Sequence, residues 1–326
     1  MRTRLGATDL EVFPIAFGAW QLGGEWGEFD PDEGVAAIRH ARKLGVNLFD
    51  TAQGYGFGAS ERLLGSALRD DLDNSRDEVV IATKGGLRMT DDGLVRDSSP
   101  EWLRRGVDES LRALGADHID IYQVHWPDPK VPFAETAGAL QGLVDEGKIH
   151  HVGVSNFDAS EMAEFGRTRP VETLQPPYDL FRREIETEVL PYCAEHDVGV
   201  LVYGPLANGL LTGAMDENTT FAPDDWRRGA PFFKGEDFRR NVQVVRELAR
   251  FAAEQLRVSV SRLAIAWTLA NPAVHAAIVG ARSPKHVADS ITAAELELRD
   301  ADLERIDAIM AGSVPMSGPH PEMMPE

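Results

Sequence analysis

Short apolar, β-branched runs alternate along the chain with longer stretches whose apolar residues recur every three or four positions. The short runs lie at 47–52, 79–84, 119–125, 151–156, 172–175, 198–203 and 276–280. The longer stretches lie at 31–44, 60–69, 100–114, 132–146, 160–166, 184–195 and 237–256. A period near two marks strands and a period near 3.6 marks helices, so the chain reads as strands and helices in alternation. Punctuation agrees with this reading. Asp30-Pro31 and Ser99-Pro100 place a proline at the first helical position, and Gly45, Gly115 and Gly147 follow helix ends. Counting 15–18 as an opening strand gives about eight strand–helix units, the number that closes a (β/α)8 TIM barrel. Residues 2–12, with Gly6 in the middle, read as an N-terminal β-hairpin. An open, doubly wound parallel sheet is the rival architecture, and the lack of a dinucleotide fingerprint counts against it.

Two segments break the alternation. Between 205 and 236 no strand or long helix is legible, and Gly209, Gly213, Pro223, Gly229, Pro231 and Gly235 punctuate it. A loop this long inside a compact fold is expected to be functional, here a lid after strand 7. The proline-rich segment 313–326 reads as a mobile tail behind a single domain over 1–312. The stretch 263–281 carries no formal charge, but Asn271-Pro272 interrupts it, which reads as a buried helix, a break and a strand.

Composition narrows the function. The 326 residues include 53 acidic and 33 basic side chains, a net charge of −20, with 43% hydrophobic residues. That balance is globular rather than disordered, and it argues against nucleic acid as a partner. Cys193 is the single cysteine, so neither an intrachain disulfide nor a cysteine-based zinc cluster can form. The N-terminal residues carry charges and no apolar run, so a soluble, cytoplasmic protein with no membrane partner is expected. Near-motifs fail on inspection. Residues 142–149 put Ile149 where a P-loop needs a hydroxyl, and 56–61 lack the third Rossmann glycine. His150 and His151, adjacent on a strand, face opposite ways and make a poor chelating pair, so no metal site is expected.

What survives is a set of polar groups at strand C-terminal ends, where barrel active sites lie. The second strand runs into Asp50-Thr51-Ala52-Gln53-Gly54-Tyr55-Gly56, the third ends on Lys84, the fourth on His125-Trp126 and the fifth on Ser155-Asn156. Taken singly, each has an ordinary reading. Asp50 suits a turn, Lys84 a solvated strand end, and His125 a hydrogen-bonded packing position. Together they resemble the catalytic tetrad of the aldo-keto reductases. The likeness extends through Val152-Gly153-Val154-Ser155-Asn156-Phe157, Gln175 with Tyr178, Tyr203-Gly204-Pro205-Leu206, Gly209-Leu210-Leu211-Thr212-Gly213 and Gly280-Ala281-Arg282. It is closest to a bacterial branch of sugar, inositol and pyridoxal reductases and dehydrogenases.

The resemblance implies an NADP(H)-dependent oxidoreductase that interconverts an aldehyde or ketone and an alcohol, with NAD(H) an open alternative. Tyr55 would be the general acid or base, a role for which a free phenol, with a pKa of about 10, is too weak an acid. Lys84 would favour the phenolate, Asp50 would keep Lys84 charged and aimed, and His125 would orient the substrate oxygen. Ser155, Asn156 and Gln175 would hold the nicotinamide carboxamide and Tyr203 would stack on the ring. Gly204, Pro205, Leu206, Gly209 and Leu211 would line the pyrophosphate. Gly280, Arg282 and Ser283 would meet the 2′-phosphate, and His286, Asp289 and Ser290 the adenine. Gly18, Trp20 and Gln21 complete the expected cofactor set, and Trp20, Phe57 and Trp126 the substrate pocket. Other aromatics, including Trp26, Trp226, Phe232 and Phe233, could wall that pocket or fill the core. Two alternatives stay open, a cofactor-sensing regulatory subunit on the same fold and a physiological polyol or sugar dehydrogenase using NAD. The substrate is expected to be a small molecule; the oligomeric state is not readable.

Overall fold

The computed structural model describes residues 2–24, 29–223, 225–281 and 283–316. Its centre is a closed barrel of eight parallel strands, β1 (Ile15–Gly18), β2 (Leu48–Asp50), β3 (Val80–Gly85), β4 (Ile119–Val124), β5 (Ile149–Ser155), β6 (Thr173–Gln175), β7 (Gly199–Tyr203) and β8 (Ala276–Gly280). Each pairs with its sequence neighbours, and β8 closes on β1 through Ala277 opposite Ile15 and Gly280 opposite Gly18. Parallel neighbours require helical crossovers, and those helices shield the strands' outer faces. The principal crossover helices are Pro31–Lys43, Ala59–Ala67, Pro100–Leu114, Phe133–Asp145, Ala159–Gly166, Val189–Glu195 and Val260–Leu269.

Two cores result. Inside the barrel, Ala16, Leu48, Val80, Ala82, Ile121, Leu201, Ala276 and Ile278 meet. Leu5 and Val12 join them from the expected hairpin, Thr3–Arg4 with Glu11–Val12, which stoppers the N-terminal end. Gly6 makes that stopper possible: its φ is +52°, and a Cβ there would lie 2.3 Å from the Gly199 nitrogen. The larger core fills the space between strands and helices.

Three regions differ from the pattern-based expectation. Residues 85–99 contain a second hairpin, Leu87–Thr90 with Gly93–Arg96, on the C-terminal side of β3. The helix expected over 184–195 is a 3-10 turn, Glu184–Glu186, followed by Val189–Glu195. The helix expected over 237–256 is Gly235–Phe251 continued by a π turn, Ala252–Leu256, which Arg257 ends in a left-handed conformation. The segment after β7 is as irregular as expected, with 3-10 turns at Ala207–Thr212, Trp226–Arg228 and Pro231–Phe233. It is not loosely held, because Phe232 and Phe233 are buried.

The first residues of the expected mobile tail are docked. Met316 is buried, and its backbone N–H donates to the Phe181 carbonyl. Its own carbonyl accepts from the Arg182 guanidinium, which lies over the Phe232 ring. Val314 exchanges two hydrogen bonds with Asn241. Residues 317–326 lie outside the described residues. No helix among the described residues is long and apolar enough to cross a membrane.

Two glycine-to-alanine changes should move stability in opposite directions. A Cβ at Gly65 would lie 2.1 Å from the Leu114 carbonyl oxygen, where two helices touch. Gly65→Ala is expected to cost about 1–3 kcal/mol through overpacking. Gly138, inside the helix Phe133–Asp145, has nothing within 4 Å of its added Cβ. Gly138→Ala should stabilise by about 0.5–1 kcal/mol through helix propensity. Urea denaturation of both variants reads the signs.

Candidate active site

The C-terminal ends of the strands converge on a buried cation. Lys84, on β3, is 1% exposed. Its ammonium donates to Asp50 Oδ1 at 2.8 Å, the Thr51 carbonyl at 2.9 Å and the Tyr55 hydroxyl oxygen at 3.2 Å. An ammonium has three N–H groups, so each has an acceptor. Asp50, on β2, uses its second oxygen to accept from Gln175 Nε2 at 2.8 Å. Gln175 gives its other N–H to Gln123 Oε1 at 2.9 Å, linking β6 to β4. Both amide hydrogens of Gln175 are thereby committed, leaving only its oxygen to face a ligand.

Tyr55 is carried by a tight loop between β2 and the helix Ala59–Ala67. Gly56 and Gly58 have φ of +61° and +89°, and a Cβ on Gly56 would lie 2.4 Å from the Gly23 carbonyl oxygen. The loop is tied down from two sides. Ser60 Oγ donates to the Ala19 carbonyl at 2.8 Å and lies 2.9 Å from Thr51 Oγ1. Glu61, the next residue, accepts from Thr83 Oγ1 at 2.7 Å. Burial holds the Glu61 carboxyl above its ordinary pKa, with the Thr83 hydrogen bond opposing the shift. Thr83 directly precedes Lys84, so Glu61 couples the loop that carries Tyr55 to the strand that carries Lys84. The Tyr55 ring stacks with Trp20 at 6.0 Å and meets the buried His125 ring edge-on at 5.7 Å.

A cavity of about 680 Å³ opens in front of these groups. Of the residues singled out from sequence, it is lined by Gly18, Trp20, Gln21, Asp50, Tyr55, His125, Ser155, Gln175 and Tyr203 at one end. Gly204, Pro205, Leu206, Gly209, Gly280, His286, Asp289 and Ser290 also line it. Lys84 sits behind Tyr55 and Asp50. Asn156 is a layer back: its amide donates to the His125 carbonyl and to Ser155 Oγ, and its oxygen accepts from the Tyr203 hydroxyl at 2.8 Å. Leu211 is fully buried, and Ser283, Trp126 and Phe57 do not line the cavity. Trp126 packs under the Arg96 guanidinium, and Phe57 is exposed. Arg282 and Trp26 lie outside the described residues.

Sequence reasoning passed over five polar or small residues that line the cavity, Asn208, Ala214, Arg227, Ser261 and Lys285, and gave Thr212, also on the wall, no role. Arg227 spans the lid, paired with Asp225 at 2.6 Å and donating to the Asn208 carbonyl at 3.1 Å. Lys285 stands in the first turn of the helix Pro284–Ile291, beside the sequence-expected His286, and that adjacency was the available signal.

The cavity offers both apolar walls and polar side chains to a ligand such as a nicotinamide dinucleotide. Gln21 Oε1 is buried with no hydrogen-bond partner among the described residues, so it awaits a donor. Gly280 leaves room for that side chain, since a Cβ there would lie 2.1 Å from the Gln21 amide. Asp50 is neutralised by Lys84 and Arg227 by Asp225, and Lys285 adds a positive charge to the wall.

Comparison with known proteins agrees with this architecture. The model of the aldo/keto reductase family matches residues 14–311. An aldo-keto reductase of Bacillus subtilis (strain 168), YhdN, is 39% identical over 96% of this chain and 94% of its own. The NADH-specific methylglyoxal reductase of Escherichia coli (strain K12) is 33% identical over 91% of this chain and 94% of its own. The structure of the glycerol dehydrogenase AKR11B4 from Gluconobacter oxydans superposes with a TM-score of 0.88 at 38% identity, covering 99% of each chain.

The buried pair makes a stability prediction. Lys84→Met strands the Asp50 carboxylate in the barrel mouth and should cost about 3–5 kcal/mol, the usual consequence of removing one partner of a buried ion pair. Adding Asp50→Asn removes the stranded charge and should restore most of that loss. Strictly additive losses in a denaturation double-mutant cycle would show that the two residues are not coupled.

Proposed function

Because this chain belongs to the aldo/keto reductase family, we propose that it is an NADP(H)-dependent enzyme reducing a small aldehyde or ketone. The observation that carries this reading is the Lys84 ammonium, held by Asp50 and placed 3.2 Å from the Tyr55 oxygen. Nicotinamide dinucleotide, when bound, supplies the hydride. Tyr55 delivers its phenolic proton to the carbonyl oxygen as that oxygen becomes an alkoxide. The phenolate left behind lies beside a fixed cation, which lowers the free energy of the proton transfer. His125 lines the same wall and orients the substrate oxygen, so the polarity that stabilises developing charge is in place beforehand. Run in reverse, the Tyr55 phenolate takes the proton of an alcohol.

The residues that would hold the cofactor follow the cavity. Ser155 and the oxygen of Gln175 face the carboxamide, and Tyr203, steadied by Asn156, offers its ring. Gly204, Leu206, Gly209 and Arg227 suit a pyrophosphate, and His286, Asp289 and Ser290 an adenine. Lys285, with Arg282 nearby in sequence, supplies the positive charge that a 2′-phosphate needs. The Escherichia coli relative is named NADH-specific, so cofactor choice varies within the family and rests here on these cations.

Tyr55→Phe is expected to lower carbonyl turnover by about 10²–10⁴-fold, the usual contribution of a general acid, with NADPH affinity unchanged. Unchanged turnover would overturn the assigned proton donor. Wild-type protein that binds NADPH yet turns over no aldehyde, ketone or polyol would instead support the regulatory-subunit reading. Lys285→Ala should weaken NADPH binding about tenfold or more, as loss of a charge-assisted hydrogen bond does, and leave NADH binding little changed. Equal effects on both dinucleotides would remove Lys285 from 2′-phosphate recognition.

A further inference from the structure

At the opposite end of the barrel, away from the cavity, three ligand-type side chains meet. We propose that His118, Asp120 and His150 form a binding site for one divalent transition-metal ion, zinc being the best match to the donor set. His118 immediately precedes β4, Asp120 is its second residue, and His150 is the second residue of β5. The parallel register, Ile119 opposite Ile149 and Ile121 opposite His151, brings His150 alongside Asp120. One ligand atom from each of the three lies within 4.8 Å of the others.

The hydrogen bonding around His118 and Asp120 leaves one nitrogen and one oxygen facing each other. His118 Nδ1 lies 2.9 Å from Asp117 Oδ1, a contact that uses its N–H, so a metal ion would meet the ring at Nε2. That Nε2 faces Asp120 Oδ1 at 3.7 Å. Two acceptors so opposed call for a proton or a cation between them. In a tetrahedral zinc site, bonds of about 2.0–2.1 Å put neighbouring ligand atoms about 3.3 Å apart, so His118 and Asp120 need close by only about 0.4 Å, and the larger movement falls to His150. The other Asp120 oxygen is already committed, accepting from the Ile81 N–H and from Arg76 Nη2, both at 2.7 Å. Outer partners of this kind, a carboxylate on the second ring nitrogen and donors on the second carboxylate oxygen, accompany metal ligands and fix their aim.

His150 supplies the adaptable ligand. Its ring stacks on that of His118 with centroids 4.2 Å apart, and it is the exposed member of the three. Imidazole lone pairs lie in the ring plane, so the stacked rings point their nitrogens side by side, and His150 must turn about its side-chain bonds to meet the same ion, which its exposure allows. Asp117 and Asp120 against Arg76 leave the cluster with one net negative charge, which favours a dication. Two imidazoles and one carboxylate suit zinc, nickel or copper rather than calcium or magnesium, which prefer oxygen throughout. The ion would fasten β4 to β5 and, through Asp120, to the turn before β3. It would act on stability, because functional groups of this fold lie at the other end.

The test uses untagged, chelator-stripped full-length protein and zinc chloride. Calorimetric titration should give one saturable site, and the melting temperature should rise with zinc, because an ion that binds only the folded state stabilises it. His150→Ala and His118→Ala should each weaken binding at least tenfold and abolish the thermal shift. Cobalt(II) should give the visible ligand-field absorption of a tetrahedral site, lost in His150→Ala. His150 is exposed, so His150→Ala should fold with a wild-type circular dichroism spectrum and metal-free activity. Absence of a one-to-one site, or equal zinc affinity in His150→Ala, would overturn the proposal.

Discussion

Burying the Lys84 ammonium costs several kcal/mol of lost hydration, and only close, complete hydrogen bonding returns it. Much of the upper barrel follows from that requirement. The three acceptors come from β2 and the loop after it, so β2 and β3 must hold their register to within a few tenths of an ångström. The counter-charge on Asp50 is then itself buried and needs Gln175 from β6, directly across the barrel. Gln175 in turn needs Gln123 from β4. A closed barrel meets these demands because every strand is paired on both sides and none can slip independently. The same closure leaves an interior filled with aliphatic side chains below this polar layer.

The walls of the cavity are held by weaker means, suited to admitting a ligand. The side next to Tyr55 is braced by Ser60 and Glu61, which tie one loop to the residues on either side of it. The opposite side is the segment after β7, whose fixed points are the Phe232–Phe233 cluster, the Arg227–Asp225 pair and the docked residues 314–316. An ion pair at the cavity edge holds its geometry at small cost and can exchange one anion for another, as a phosphate-bearing ligand would require.

The barrel and the inner site were legible because their signals are local and repetitive. Apolar runs of fixed length mark strands, and a polar residue at the end of such a run is conspicuous, which singles out Asp50, Lys84 and His125. Arg227 and Lys285 were passed over for a physical reason. Each reaches the cavity from a segment whose direction is set by tertiary packing, a 3-10 turn in one case and a helix start in the other. The hairpin Leu87–Thr90 with Gly93–Arg96 hid for a related reason, since strands of four residues are too short for alternation to stand out. Trp126 and Phe57 are near the inner site in sequence but lie off the wall of this cavity. The two adjacent histidines were read correctly as facing apart. Their partners were invisible because pairing between parallel strands brings together residues some 30 positions distant, as with His118 and His150.

The formal charge of −20 is also a lesson in scale. Summed over the chain it forbids a polyanionic ligand, yet a ligand senses charge only within a screening length of about 8 Å at physiological salt. Around the cavity Asp50 is cancelled by Lys84 and Asp225 by Arg227, and Asp289 stands against Lys285. Backbone N–H groups at the start of the helix Pro284–Ile291 add positive potential without adding formal charge. At the other end of the barrel the same local sum, two carboxylates against one guanidinium, is negative and suits a cation. One acidic chain can thus carry an anion-accepting mouth and a cation-accepting base, because each site is governed by its nearest few charges.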